Sequence, residues 1–264
     1  MVAITNRLAL RNKLSRSHIQ MIMVALVEAA SVLVLARLAG WWPVAMGVVA
    51  AVELWPLRPG AGLGGPERAK RWLGLVPRLL VGLSAVLIIA VSLRAATQVA
   101  VAAMLAAARI WWTRSGHEAP AGLIRLLIVQ AAVFEAVFLM AAMWRPNNWI
   151  VIGLAWLGSY LATYAVLTRR GERAAGVLAA AWGVVVVEVS WVLLLWLFTY
   201  TMTGGYVLVP QPALILTAIG YCFGSIYASQ REGTLSRGRL TEYLLIGLIL
   251  VVIVIVGTSW RGTV

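Results

Sequence analysis

The sequence predicts an all-α fold: a polytopic transmembrane helix bundle of about nine helices, with a cytoplasmic N-terminus and an extracytoplasmic C-terminus. Three observations predict it. Of the 264 residues, 62% are hydrophobic and only 12% charged. The mean hydropathy is +0.91. The cations do not gather in one patch but punctuate long apolar runs. A soluble domain needs roughly a quarter of its residues charged to cover its surface, so lipid must be the solvent here.

The apolar runs fall at Ile19 to Leu38, Trp41 to Leu57, Pro77 to Leu93, Ala95 to Trp112, Ala121 to Trp144, Trp149 to Thr168, Ala174 to Tyr200, Val209 to Ser229 and Thr241 to Trp260. A hydrocarbon core of about 30 Å takes about 20 residues of α-helix, so most runs suffice and the second to fourth are short. The first two are separated by Gly40-Trp41-Trp42-Pro43, a strong break. The third and fourth must also be separate, since one helix over both would exceed about 50 Å at 1.5 Å per residue. Their junction has no Gly or Pro, only Ser92-Leu93-Arg94 and then Thr97-Gln98.

Loop charge supports this division. Cations concentrate in cytoplasmic loops, and with the N-terminus inside, only Arg37, Arg94, Arg145 and Arg261 of the 22 Lys and Arg fall on the far side. Arg78, Arg109, Arg125 and Arg169 are counted on the inner side in this scheme. Merging either doubtful pair of helices inverts every later loop and destroys the asymmetry. Tryptophan, which prefers the headgroup boundary, agrees: Trp41, Trp42, Trp55, Trp72, Trp111, Trp112, Trp144, Trp149 and Trp260 lie at run ends. Trp156, Trp182, Trp191 and Trp196 lie deeper and are expected to pack between helices.

The chain reads as one integral membrane domain over 1–264, with a basic cytoplasmic N-terminus at 1–18 and a Gly- and Pro-rich cytoplasmic loop at 58–71. The basic start resembles a secretory signal, but Glu28 and the Arg37-Leu38-Ala39 ending favour a retained helix. An Arg-rich, Lys-poor alphabet points to the cytoplasmic (inner) membrane of a prokaryote, multi-pass. The net charge of +13 forms no stripe interleaved with aromatics, so nucleic acid is not expected as a partner. The expected partners are the bilayer, anionic lipids at the cytoplasmic face, and a membrane-protein partner or a second copy of the chain.

Most chemistries are excluded by what is missing. His18 and His117 are the only histidines and Cys222 the only cysteine, so neither a His-rich metal site nor a disulfide is available. Arg114-Ser115-Gly116-His117 resembles the Ser-Gly-His element of membrane lipid phosphatases, but that chemistry needs a later His and an Asp, and the sequence has neither. Gly60 to Gly65 lacks the Gly-Lys-Ser/Thr of a phosphate loop. Lys13 and Lys70 lie outside the apolar runs, which excludes a Schiff-base retinal site. No catalytic residue, cofactor or metal is expected, and the chain is read as a non-enzyme.

The acidic residues carry the functional signal. All nine are glutamates, and four stand inside apolar runs: Glu28, Glu135 and Glu188 near mid-helix, and Glu53 nearer the inner end. A carboxylate at mid-bilayer costs about 3 kcal/mol even on lenient scales. With no Lys or Arg placed at mid-helix, these groups are expected to be protonated, bonded to one another, or open to a wet cavity. Two classes follow. In the first the chain is a small transporter or channel with a proton or cation site built from Glu28, Glu135, Glu188 and Glu53. In the second it is a non-catalytic anchor or assembly subunit of a larger envelope complex.

The segment Thr203-Gly204-Gly205 to Val209-Pro210-Gln211-Pro212 reads as an extracytoplasmic loop, Pro being common at the start of a helix. A re-entrant segment is the alternative. Gly220 and Gly224, with Ala175, Ala179 and Gly183, provide small residues for close helix packing.

Overall fold

The computed structural model describes residues 22–37, 41–55, 65–92, 94–114, 119–195, 199–202 and 207–256. These form nine helices and one β-hairpin. The helices are α1 (22–37), α2 (Trp42–Leu54), α3 (Gly65–Val91), α4 (Ala95–Arg114), α5 (Ala119–Trp144), α6 (Asn148–Arg169), α7 (Ala175–Leu194), α8 (Gln211–Arg231) and α9 (Arg237–Val256). Seven of them, α3 to α9, are long and apolar enough to cross a membrane. The chain is a multi-pass membrane bundle. At 13 residues α2 spans only about 20 Å, short of a full crossing.

The centre of the bundle is α5, which packs against α3, α6 and α8. Phe134, Phe138 and Val129 on α5 are fully buried, and the core they anchor reaches Val32 of α1, Val49 of α2, Val86 of α3 and Val186 of α7. Burial falls away from this centre: 61% of the α5 span is enclosed, 22% of α7 and 6% of α9. Consequently α9 rests on α8 and turns most of its Leu, Ile and Val residues outward.

Three elements differ from the sequence reading. The third helix begins at Gly65, well before Pro77, so part of the expected 58–71 loop is helical and Pro77 lies inside α3. The seventh helix stops at Leu194, before Tyr200. Thr199–Met202 (β1) and Val207–Pro210 (β2) then pair antiparallel, Thr199 opposite Pro210 and Met202 opposite Val207. The segment thus holds two paired strands, the second leading straight into α8 with Pro at the first turn of the helix, and no re-entrant helix among the described residues. Thr203, Gly204 and Gly205 lie outside the described residues.

The α3–α4 turn is present, with a clear physical cause. The Gln98 side-chain amide donates to the carbonyls of Ser92 at 2.8 Å and Ile89 at 3.3 Å, satisfying carbonyls that the end of α3 leaves open. A buried Gln thus does what a Gly or Pro usually marks.

The aromatic belt is partly as expected. Trp42 meets Trp144 at 5.6 Å and Trp149 meets Trp191 at 4.8 Å, tying α2 to α5 and α6 to α7 at the hairpin end. Trp191, read from sequence as an interior residue, belongs to this belt, since α7 ends three residues later. Trp196 lies outside the described residues.

At the opposite end the α6–α7 and α8–α9 turns are joined. Arg231 donates to the carbonyl of Arg170 at 2.5 Å, and the Tyr227 hydroxyl donates to Glu172. That hydroxyl, with help from the Ala174 amide, holds the half-buried Glu172 carboxyl below its ordinary range. Gly171 (φ 72°) and Gly233 (φ 67°) turn the chain in the left-handed region at these two junctions, where a side chain is strained.

Candidate functional site

The four intramembrane glutamates do not share one site. Each follows from the helical face it occupies.

On α1 the buried face runs Ala25, Glu28, Ala29, Val32, Ala36; on α2 it runs Ala45, Val49, Glu53; on α4 it includes Val101, Leu105, Arg109 and Trp112. The spacing of three and four puts a charged residue on the inward stripe of each helix. The stripes converge. Arg109 Nη2 lies 2.7 Å from Glu28 Oε1, and Arg109 Nη1 pairs with Glu53 Oε1. All three residues are buried, none more than 7% exposed.

This corrects the expectation that no Arg or Lys neutralises the glutamates within the bundle. Arg109 is no loop cation but stands inside α4. The planar guanidinium offers donors to two carboxylates at once, a geometry a lysine ammonium lacks.

Helix α3 makes room for this group. A Cβ on Gly82 would meet Val49 Cγ1 at 2.5 Å and Arg109 Nη2 at 3.2 Å, so glycine permits both α2 and the guanidinium to approach. Eight residues earlier on the same stripe, Gly74 accepts Arg169, whose Nη2 would stand 2.8 Å from a Cβ there. Between them Arg78 lies within electrostatic reach of Glu53, Glu28, Arg109 and Arg169. Two arginines, Arg109 and Arg78, thus share two carboxylates. Arg125 packs separately, over the rings of Trp111 and Trp112 at 5.9 and 5.6 Å.

Glu135 is placed quite differently. It lines a cavity of about 420 Å³ between α3, α4 and α5, walled by Val81, Ala85, Val101, Met104 and Leu139 and bordered by Val209 of β2. The walls are almost wholly apolar, with Thr97 as the other polar lining residue. Glu135 makes no hydrogen bond or ion pair with any described residue. A lone carboxyl facing an apolar cavity is costly to keep and adds nothing to packing.

Glu188 stands on the outer face of α7, exposed between Val184, Trp191 and Val192. It too has no partner among the described residues. In a bilayer it projects toward lipid, or toward whatever covers that face.

Of the predicted set, then, Glu28 and Glu53 come together, whereas Glu135 and Glu188 are separate from them and from each other. The residue missed was Arg109. Its signal was available: it lies inside the apolar run Ala95 to Trp112, four residues after Leu105 and eight after Val101, on their face. The cavity around Glu135 could not be found from sequence, because it depends on how three helices diverge.

Comparisons with protein-family models, with curated proteins and with solved structures find no match to this chain. What defines its class is therefore the fold and the charged groups themselves: a multi-pass helical membrane protein with an ion-paired cluster on one side and a solitary carboxyl in a cavity.

Proposed function

We propose that the chain is a small transporter or channel for a cation with a largely apolar body, and that Glu135 is the group that receives it. The observation carrying this reading is the unpartnered carboxyl in an apolar chamber of about 420 Å³. Ligand sites of this kind combine hydrophobic walls with very few polar groups that fix orientation and charge. Here the walls match an aromatic or alkyl body and the carboxylate matches its positive centre, with the proton as the smallest competitor for the same oxygen atoms.

Glu28 and Glu53 take no part in conduction in this reading. Their charges are already met by Arg109, so they lock α1, α2 and α4 together. In this reading the basic ends of the helices face the cytoplasm and its anionic lipids, with the N-terminus inside and the C-terminus outside, and the Arg-rich, Lys-poor composition favours the inner membrane of a prokaryote. Support for this orientation is the loop-charge asymmetry. No catalysis is assigned to the chain.

Transport is tested with ethidium, a poorly permeant aromatic cation. Proteoliposomes loaded with it are expected to lose it several-fold faster than protein-free liposomes, and added tetraphenylphosphonium is expected to slow the loss. Equal rates with and without protein overturn the proposal.

A second reading, an assembly subunit of a larger envelope complex, is favoured by Glu188. A carboxyl on an uncovered mid-span face is stabilised by several kcal/mol when a neighbouring helix supplies a donor or a cation. A photo-crosslinker at Val184 in native membranes is expected to give one discrete adduct that weakens in Glu188→Gln. Lipid adducts alone would dismiss this reading, and an adduct with a second copy would make the assembly homo-oligomeric.

A further inference from the structure

On the other side of α5 lies a second cavity, of about 270 Å³, half open and lined by α5, α6, α7 and α8. Its lining is apolar and aromatic, including Leu126, Val185, Trp182, Phe223 and Tyr227. Two buried polar atoms stand out. Gln130 is 2% exposed, and while its Nε2 donates to the Thr163 hydroxyl at 3.3 Å, its Oε1 has no partner among the described residues. Trp182 is 9% exposed, and its indole Nε1 donates to none of the described residues.

These two groups converge on Gly220. A Cβ there would stand 2.5 Å from Gln130 Oε1 and 3.4 Å from Trp182 Cζ2, the ring carbon on the nitrogen side of the indole. Glycine therefore lets the amide oxygen pack directly against α8, with the indole edge beside it. Buried donors and acceptors are almost always satisfied, and an unsatisfied one costs about 1–3 kcal/mol. Here a donor and an acceptor are left over on the lining of one cavity. A single water that met both would leave the rest of the apolar volume of about 270 Å³ unfilled.

We propose that this cavity binds an uncharged, hydroxyl-bearing apolar molecule that enters from the bilayer. A hydroxyl is the smallest group that completes both atoms at once, accepting from the indole N–H of Trp182 and donating to Gln130 Oε1. The ring-lined walls take the apolar body, with Trp182 and Phe223 5.7 Å apart forming an aromatic side. No charge is present among the lining residues, so an ion has nothing to pair with. The site is independent of Glu135, which lies in a different cavity.

The test uses the full chain in nanodiscs with ¹⁵N-labelled indoles. Among the signals of the 13 tryptophans, that of Trp182 is identified by its loss in Trp182→Phe. Titration with 4-hexylphenol is expected to move this signal saturably, and hexylbenzene, which lacks the hydroxyl, is expected to bind about tenfold more weakly, the value of one or two lost hydrogen bonds. Gln130→Leu should weaken hexylphenol by a similar factor while leaving hexylbenzene unchanged. Gly220→Ala, whose methyl group would stand 2.5 Å from Gln130 Oε1 and so displace it, should weaken hexylphenol at least as much as Gln130→Leu does. An unmoved Trp182 signal, or equal affinity for the phenol and the hydrocarbon in the wild-type protein, overturns the proposal whether or not the variants fold.

Discussion

Replacing Arg109 with leucine is expected to destabilise the bundle by about 3–5 kcal/mol, the scale seen when one partner of a buried ion pair is removed. The physical reason is that Arg109 serves two carboxylates. Glu28 and Glu53 are 5% and 7% exposed, and without the guanidinium both lose their direct ion pair in low dielectric, with only the more distant charge of Arg78 left to them. Since whole domains are stable by only about 5–15 kcal/mol, this loss is a large share of the total and should lower the melting temperature clearly. The triple change Arg109→Leu, Glu28→Gln, Glu53→Gln removes the charges together and should recover much of the loss, because an apolar or neutral replacement for a buried ion cluster is often near neutral. Thermal unfolding in detergent should therefore rank wild type first, the triple variant next and Arg109→Leu last. A single Arg109→Leu variant that melts with the wild type would show that the cluster contributes nothing.

Changing Glu135 to glutamine is expected to leave stability nearly unchanged and to weaken tetraphenylphosphonium binding about 100-fold. Glu135 has no partner to strand, so its neutralisation removes no contact within the protein. What it removes is the attraction to a cation in the chamber. Two unit charges 4 Å apart at an effective dielectric constant of 20 attract by about 4 kcal/mol, and desolvation of the carboxylate takes part of that back. A net loss near 2.7 kcal/mol corresponds to two decades of affinity. Tetraphenylborate, of the same shape and opposite charge, should not compete. Glu188→Gln, on the outer face of α7, should bind the cation as the wild type does, which separates the chamber from any general effect of intramembrane carboxyls.

The fold was legible wherever one solvent rule governs a long segment. Lipid demands continuous apolar helices, so the runs from Ala121 to Ser229 mark α5, α6, α7 and α8 closely, apart from the end of α7. The junction after Leu93 was recoverable from length and charge parity alone, although its cause, the Gln98 amide closing the end of α3, is a tertiary fact. The hairpin was not recognised because Thr199, Tyr200, Thr201 and Val207 to Val209 are as apolar as a helix end. Their β-branched and aromatic character around Gly204-Gly205 was the usable sign. Likewise Gly65-Pro66 marks a helix start that the loop composition obscured.

For the site, residue type was legible and relationship was not. Glutamates in apolar runs were conspicuous because each is expensive there. Which of them is neutralised depended on Arg109, and counting it among loop cations hid the fact that its helical phase matches Val101 and Leu105. Nor does any local pattern distinguish Glu135 from Glu188: both sit mid-helix, with Val the commonest neighbour, yet one lines a half-open cavity between α3, α4 and α5 and the other faces outward. That difference is set by the packing of neighbouring helices.

The central claim is that Glu135 alone of these four carboxyls meets the cation, and a lipid-soluble carbodiimide tests it most directly. Such a reagent couples to carboxyl groups in apolar surroundings that are not engaged in ion pairs. Mapped by mass spectrometry on the purified chain in nanodiscs, adducts are expected on Glu135 and Glu188 and not on Glu28 or Glu53. Saturating tetraphenylphosphonium should suppress the adduct on Glu135 several-fold and leave that on Glu188 intact. Labelling of Glu135 that is indifferent to the cation, or protection that appears at Glu188 or Glu28 instead, contradicts the account.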